Sequence, residues 1–208
     1  MLLTTGAIAL NAIAWMQAYS MTHFVEAGQR TAKPETLSAI DKLRIVLTGV
    51  EIPRPTNHLT PQAIALDHKT AQIAISDSET LEAWYVPRSH SRGIVLMFPP
   101  YAGTNDALLA SAKLLHDLGF ELLLINFRGV GGSSGSTTLG VRKAEDVAVA
   151  VAYAKQRWAK QPLILYGASM GATAVMRAIA QQSIKPDAVI VKVRSIVCCT
   201  QYAIALRQ

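Results

Sequence analysis

Cysteine is nearly absent from this chain. Its two cysteines, Cys198 and Cys199, are neighbours near the end. Adjacent thiols cannot staple distant loops, so no disulfide framework is implied, and metal-ligand spacing is missing, so no metal is expected. Blocks of like charge are absent as well. The formal net charge is +6, but Lys and Arg are scattered along the 208 residues, which argues against a nucleic-acid partner. Two further gaps carry more weight. No charged side chain occurs from Met1 to Thr22, and no histidine occurs after Ser169.

The uncharged opening stretch carries Ile8, Leu10, Ile13, Trp15 and Met16, with Tyr19 near its far end. About twenty predominantly apolar residues suffice to span a bilayer, and aromatic residues favour its interface. The expectation is a membrane-anchor helix over 1–24. A buried or interface-lying amphipathic helix is the alternative, because Asn11, Gln17 and several Thr and Ser dilute the run. A secretory signal fits worse, since no Lys or Arg precedes the apolar part and no small-residue cleavage site follows. Arg30, Lys33, Lys42 and Arg44 come after the segment. The positive-inside rule then makes this a single-pass membrane protein with its globular part in the cytoplasm.

Pro34 to Leu47 reads as a helix with proline in its first turn, Leu37, Ile40, Leu43 and Leu47 at helical spacing, and Gly49 as its stop. Its expected role is packing, or lying against lipid headgroups. Pro53, Pro55 and Pro61 then mark an extended linker. Three parts result: an anchor over 1–24, a juxtamembrane helix and linker over 25–62, and a globular domain over 63–208.

The domain has enough apolar residues for one sizeable core, with half of the whole chain hydrophobic. Ala71 to Ile75 and Leu81 to Val86 read as a hairpin around a polar turn. Gly93 to Phe98, Leu122 to Phe127, Leu163 to Tyr166 and Ala188 to Val191 are continuous apolar runs of the buried-strand kind. Between them fall helices opening at Asn105, near Val141 and near Met170. Buried strands alternating with amphipathic helices specify a mostly parallel α/β sheet covered on both faces.

The sharpest motif is Gly167-Ala168-Ser169-Met170-Gly171, a G-x-S-x-G between a buried strand and a helix. A serine that attacks a carbonyl has to protrude from the carboxyl edge of the sheet on a tight turn. Gly167 and Gly171 permit that turn and a close strand-to-helix approach. The helix then aims backbone N–H groups at a developing oxyanion. Ser169 is the candidate nucleophile and the Met170 N–H one oxyanion donor. The Tyr101 N–H, in the loop after the first parallel strand, is the candidate for the second, because Pro99 and Pro100 carry no N–H. A passive serine in a glycine-rich turn is the competing reading. The Gly129 to Gly135 loop lacks a Walker lysine and dinucleotide spacing, so no nucleotide cofactor is expected. It reads as a flexible loop with Arg128 as its anchor.

These pieces together resemble the α/β-hydrolase superfamily. The elbow, Asn126-Phe127-Arg128-Gly129 with its glycine-serine continuation, Glu145-Asp146-Val147 and Leu81 to Pro87 are similar to the serine aminopeptidase or acylglycerol-lipase-like branch, some bacterial members of which carry a membrane helix. The resemblance implies hydrolysis of a small ester or amide through an acyl-serine intermediate, without a cofactor. It also implies a triad in the chain order Ser, Asp or Glu, His. Relatives usually have His-Gly where this chain has Pro99-Pro100. After Ser169 the only acid is Asp187 and the histidine is missing. Upstream, His23, His58, His68, His90 and His116 fall in the linker, hairpin or helices, away from the expected position of the serine.

Lys192 to Gln208 departs from the strand-and-helix rhythm. The expectation is therefore a hydrolase domain whose C-terminal part is missing, the tail arising from a lost nucleotide near Val191. Activity should then be impaired, and the last parallel strand should lie at an unprotected edge. A non-catalytic, membrane-tethered remnant or binding module is the alternative function.

Overall fold

The computed structural model describes residues 2–26, 31–138, 140–194 and 200–206; Cys198 and Cys199 lie outside the described residues. The chain divides into two compact units, Met1–Arg54 with Ser136–Leu139, and Pro55–Gly135 with Gly140–Gln208.

In the first unit, helix α1 (Leu2–Thr22) covers the uncharged stretch. Among the described residues no helix is long and apolar enough to cross a membrane. This overturns the expected single-pass anchor, and with it the membrane partner and location. The polar residues that dilute α1 bond within the unit instead. The Gln17 amide donates to the carbonyls of Ile45 at 2.8 Å and Val46 at 2.7 Å, in the last turns of helix α2 (Ala39–Thr48).

The helix expected from Pro34 starts later. Pro34–Thr36 is a separate 3-10 turn and Leu37 is extended. Ser38 starts α2 by a reciprocal cap: its Oγ accepts the Asp41 N–H at 3.1 Å and its hydroxyl donates to the Asp41 carboxylate at 2.6 Å. Gly49 ends α2 at φ +88°, where a Cβ would also lie 2.7 Å from Ser20 Cβ. Ile40, Leu43 and Leu47 are exposed, so the expected packing of that stripe is not found.

The second unit is built on a seven-stranded sheet. Its strands are β1 (Lys69–Ala74), β2 (Thr80–Val86), β3 (Ile94–Phe98), β4 (Glu121–Ile125), β5 (Leu163–Ala168), β6 (Ala188–Arg194) and β7 (Thr200–Leu206), in the spatial order β1-β2-β4-β3-β5-β6-β7. The hairpin β1–β2 is antiparallel and joins β4 antiparallel, whereas β4, β3, β5 and β6 run parallel. Every residue of β3, β4 and β5 is buried, which is why their apolar runs do not alternate.

Helices α4 (Val141–Arg157) and α5 (Met170–Gln182) carry residues of one core, with Leu96, Leu123, Leu165, Val147 and Val175. Helix α3 (Leu109–Asp117) contributes to the other, with Val95, Leu122, Leu124, Ala112 and Leu115. The expected mostly parallel α/β sheet is therefore present. Its outer edge differs from expectation, because β7 pairs antiparallel along all of β6, from Ala188↔Leu206 to Arg194↔Thr200.

The glycine-serine loop after β4 is pinned rather than loose. Gly131 N–H donates to Pro55 O at 2.8 Å, Ser134 N–H to Thr80 O at 3.0 Å, and the Ser133 hydroxyl to Asn126 O at 2.8 Å. Arg128 anchors it as expected. The buried guanidinium meets Asp146 at 2.5 Å, Glu145 at 2.9 Å and Glu79 at 3.2 Å. Lys143 is buried beside this cluster with its ammonium 4.2 Å from the Phe127 ring centroid.

Burial pushes Lys143 down to about 8 against the pull of Asp146, and Arg128 adds to the lowering. The unfolded chain, with an ordinary lysine near 10.4, binds more protons than the folded chain between those values. Stability should therefore rise by about 2 kcal/mol from pH 8 to pH 10. Tyr85, pushed up to about 12 by burial and Glu121, acts in the opposite sense only above its ordinary value. Urea midpoints at the two pH values check this, and Lys143→Met should abolish the rise.

Candidate active site

Strand β5 ends at Ala168, α5 begins at Met170, and Ser169 alone makes the bend, at φ +50° and ψ −111°. A non-glycine residue held at positive φ is strained by roughly 1–3 kcal/mol. The surroundings impose the bend. Ser169 N–H donates to Lys192 O at 2.8 Å, fastening the turn to the end of β6, and Ser169 O accepts the Thr173 N–H at 3.2 Å as α5 starts. The side chain is exposed.

The flanking glycines are sterically required. A Cβ on Gly167 would lie 2.5 Å from the backbone N and Cα of Ala172. One on Gly171 would collide with Phe98 O and lie 2.7 Å from Pro99 O. The first turn of α5 is thus pressed both onto its own strand and onto the end of β3.

That second contact ties the elbow to the loop after β3. Pro100 to Gly103 forms a turn closed by Gly103 N–H to Pro100 O at 3.1 Å, with Ala102 at φ +51°. Tyr101, half-buried, stands between them. Met170 occupies the first helical position of α5, where a backbone N–H has no partner within its own helix. Sequence reasoning missed Asn105 as a brace for this loop. It is fully buried and its N–H donates to Asn126 Oδ1 at 2.8 Å, linking the segment after β3 to the segment after β4. A polar residue opening a helix on an apolar strand edge was the available signal.

Asp187 lies far from the bend. Its carboxylate accepts the Leu163 N–H at 2.8 Å and its own N–H donates to Leu163 O at 2.8 Å. Leu163 is the first residue of β5, so about 16 Å of strand separates that pair from Ala168. The histidines have other surroundings. His116 on α3 meets Pro87 O at 3.1 Å, His68 lies edge-on to Trp84, the backbone N–H of His58 donates to the Asp106 carboxylate and His90 sits at φ +53°. Burial lowers the pKa of His68 against the pull of Asp67 and Glu82. In the first unit, His23 stacks on Tyr19. Among the described residues no group of acids, histidines or cysteines is arranged to hold a metal ion.

A mostly parallel sheet with helices on both faces and a strained serine turn at its carboxyl edge defines an α/β hydrolase fold. The family model for serine aminopeptidase, S33, matches residues 89–196, just over half of the chain, and the chain belongs to that family. An esterase of Pyrococcus furiosus is similar to it at 25% identity and a TM-score of 0.57, over 63% of this chain and 53% of that one. An α/β serine hydrolase homologue from Coxiella burnetii gives 27% identity and a TM-score of 0.51, over 59% and 61%. An uncharacterized protein of Rickettsia prowazekii is 36% identical over 84 residues, 39% of this chain and 35% of that protein. The chain thus spans about a third of that curated relative and about half of the esterase.

Gly171→Ala should cost about 3 kcal/mol of stability, because the obstructing atoms are backbone and have no rotamer to yield. Gly6→Ala, in α1 with nothing within 4 Å of the new Cβ, should instead gain up to about 1 kcal/mol. Denaturant titration of the two variants distinguishes the steric argument from a general intolerance of alanine.

Proposed function

We propose that this chain carries the nucleophile half of a serine hydrolase acting on esters or amides. Ser169 is the nucleophile, the Met170 and Tyr101 N–H groups are the oxyanion donors, and Gly167 and Gly171 make the elbow. The observation that carries the reading is the exposed Ser169 held at positive φ immediately before α5. Membership of a hydrolase family and the likeness to an esterase support the substrate class.

In the proposed reaction the Ser169 oxygen bonds to the carbonyl carbon and its proton leaves to a base. Two backbone N–H groups stabilise the oxyanion. The tetrahedral intermediate then expels the alcohol or amine, which takes up the proton, and water releases the acid from the acyl-serine. Preorganised backbone donors and binding alone retain a residual ~10³-fold acceleration over water when a triad is disabled.

The sequence has no histidine beyond Ser169, and the carboxylate of Asp187 bonds at the start of β5. The proposal is therefore that this chain by itself is weak or inactive. A non-catalytic remnant or binding module is the second reading, favoured by the same lack of a base.

A fluorophosphonate probe followed by peptide mapping tests the nucleophile. The expected outcome is slow labelling of Ser169, lost in Ser169→Ala, with hydrolysis of a chromogenic short-chain ester at least ~10³-fold below that of an intact triad. Absence of label on Ser169, together with equal ester hydrolysis by both proteins, would leave the remnant reading.

A further inference from the structure

A cleft of about 560 Å³ is lined by residues of the hairpin β1–β2 and of the end of α4. It lies at the edge of the sheet opposite Ser169. Tyr85 pairs with Leu123 near the start of β4, and Trp158 closes α4 shortly before β5 begins. Lys69 and Tyr85 are cross-strand partners, so their side chains share one face of the sheet. That face carries α4, because Ile73 and Leu81, on the same alternation, share a core with Val147. On the helix, Tyr153 and Arg157 stand about one turn apart on one side, with the guanidinium carbon 4.6 Å from the Tyr153 ring centroid.

The lining combines flat apolar walls with positive charge. The Trp158 ring centroid lies 5.3 Å from that of Tyr85 and 6.3 Å from that of Tyr153, and all three rings are half-buried. The Tyr85 phenol donates to the buried Glu121 carboxylate at 2.8 Å. Ala71, between Lys69 and Ile73 on the same face, also lines the cleft and leaves space that a longer side chain would fill. Lys69 and Arg157 are exposed, and among the described residues neither forms an ion pair. No acidic side chain lines the cleft.

Aromatic walls favour a planar ring. An ammonium and a guanidinium, which only donate, favour an acid group. The negative end of the α4 dipole lies here and disfavours a doubly charged phosphate, which leaves a carboxylate. The volume falls within the roughly 300–1,000 Å³ of small-molecule sites.

We propose that this cleft is a binding site for planar aromatic carboxylates. The ring sits against Tyr85, Trp158 and Tyr153, and Lys69 and Arg157 hold the carboxylate. The site is distinct from the serine turn and does not rest on the hydrolase reading.

2-Naphthoate, 2-naphthalenemethanol and cyclohexanecarboxylate, each titrated into the full chain by calorimetry, separate the ring from the charge. Naphthoate should bind about fivefold more tightly than either of the others. Lys69→Met combined with Arg157→Met should remove its advantage over the alcohol, and the fold should survive because both side chains are exposed. Lys113→Met, on α3 against the other core, should keep that advantage. Trp158→Leu should remove the advantage over cyclohexanecarboxylate. Ser169→Ala should bind naphthoate unchanged. No binding of naphthoate, equal affinity for either control ligand, or a preference that survives the double substitution overturns the proposal. Weaker naphthoate binding by Ser169→Ala also overturns it, because the ligand would then sit at the serine turn. Fluorophosphonate labelling of Ser169 bears only on the nucleophile, so the two ideas fail separately.

Discussion

Strand β5 and helix α5 approach each other so closely at Gly167 and Gly171 that backbone touches backbone. Neither position has room for a single extra carbon. The bend between them falls on Ser169, which is forced to positive φ and points outward. Because Gly171 also presses on Phe98 and Pro99, the same contact sets where the loop after β3 begins. The local strain is of order 1–3 kcal/mol. It is sustained by strands buried on both faces, which cannot shift without opening either core.

A second constraint stands behind the first. Arg128, Asp146, Glu145, Glu79 and Arg142 join the end of β4, the start of α4 and the hairpin turn through charged contacts. Burial raises the pKa of Asp146 while Arg128 lowers it. Removing one member of such a group leaves its partner charged without compensation, at a cost of several kcal/mol. The cluster fixes the glycine-serine loop against the sheet, so glycine there serves close approach. A Cβ on Gly131 or Gly132 would strike the side chain of Asn126 or Glu82.

The parallel strands were legible because burial on two faces erases alternation, and the G-x-S-x-G stood out because strand and helix flank it. Other features resisted for physical reasons. Leu2 to Thr22 reads as a span when apolar residues are counted, yet Gln17 bonds to carbonyls of α2. Pro34 looked like a helix start, but the acceptor that begins a helix is four residues later, at Ser38. The glycine-serine loop looked loose because its restraints come from Pro55, Thr80 and Asn126, distant in sequence. The contact of Tyr85 with Trp158 joins distant parts of the chain, beyond the reach of any local pattern.

Strand β7 changes what can lie beside the bend. It runs against β6 along its whole length, so the lateral slot where another parallel strand would add is occupied. A base delivered to Ser169 in the proposed reaction must therefore arch over the carboxyl rim from above, or evict β7 first. Among the described residues β7 is thus the last strand on that side of the sheet, and it carries the outer edge that β6 would otherwise have formed.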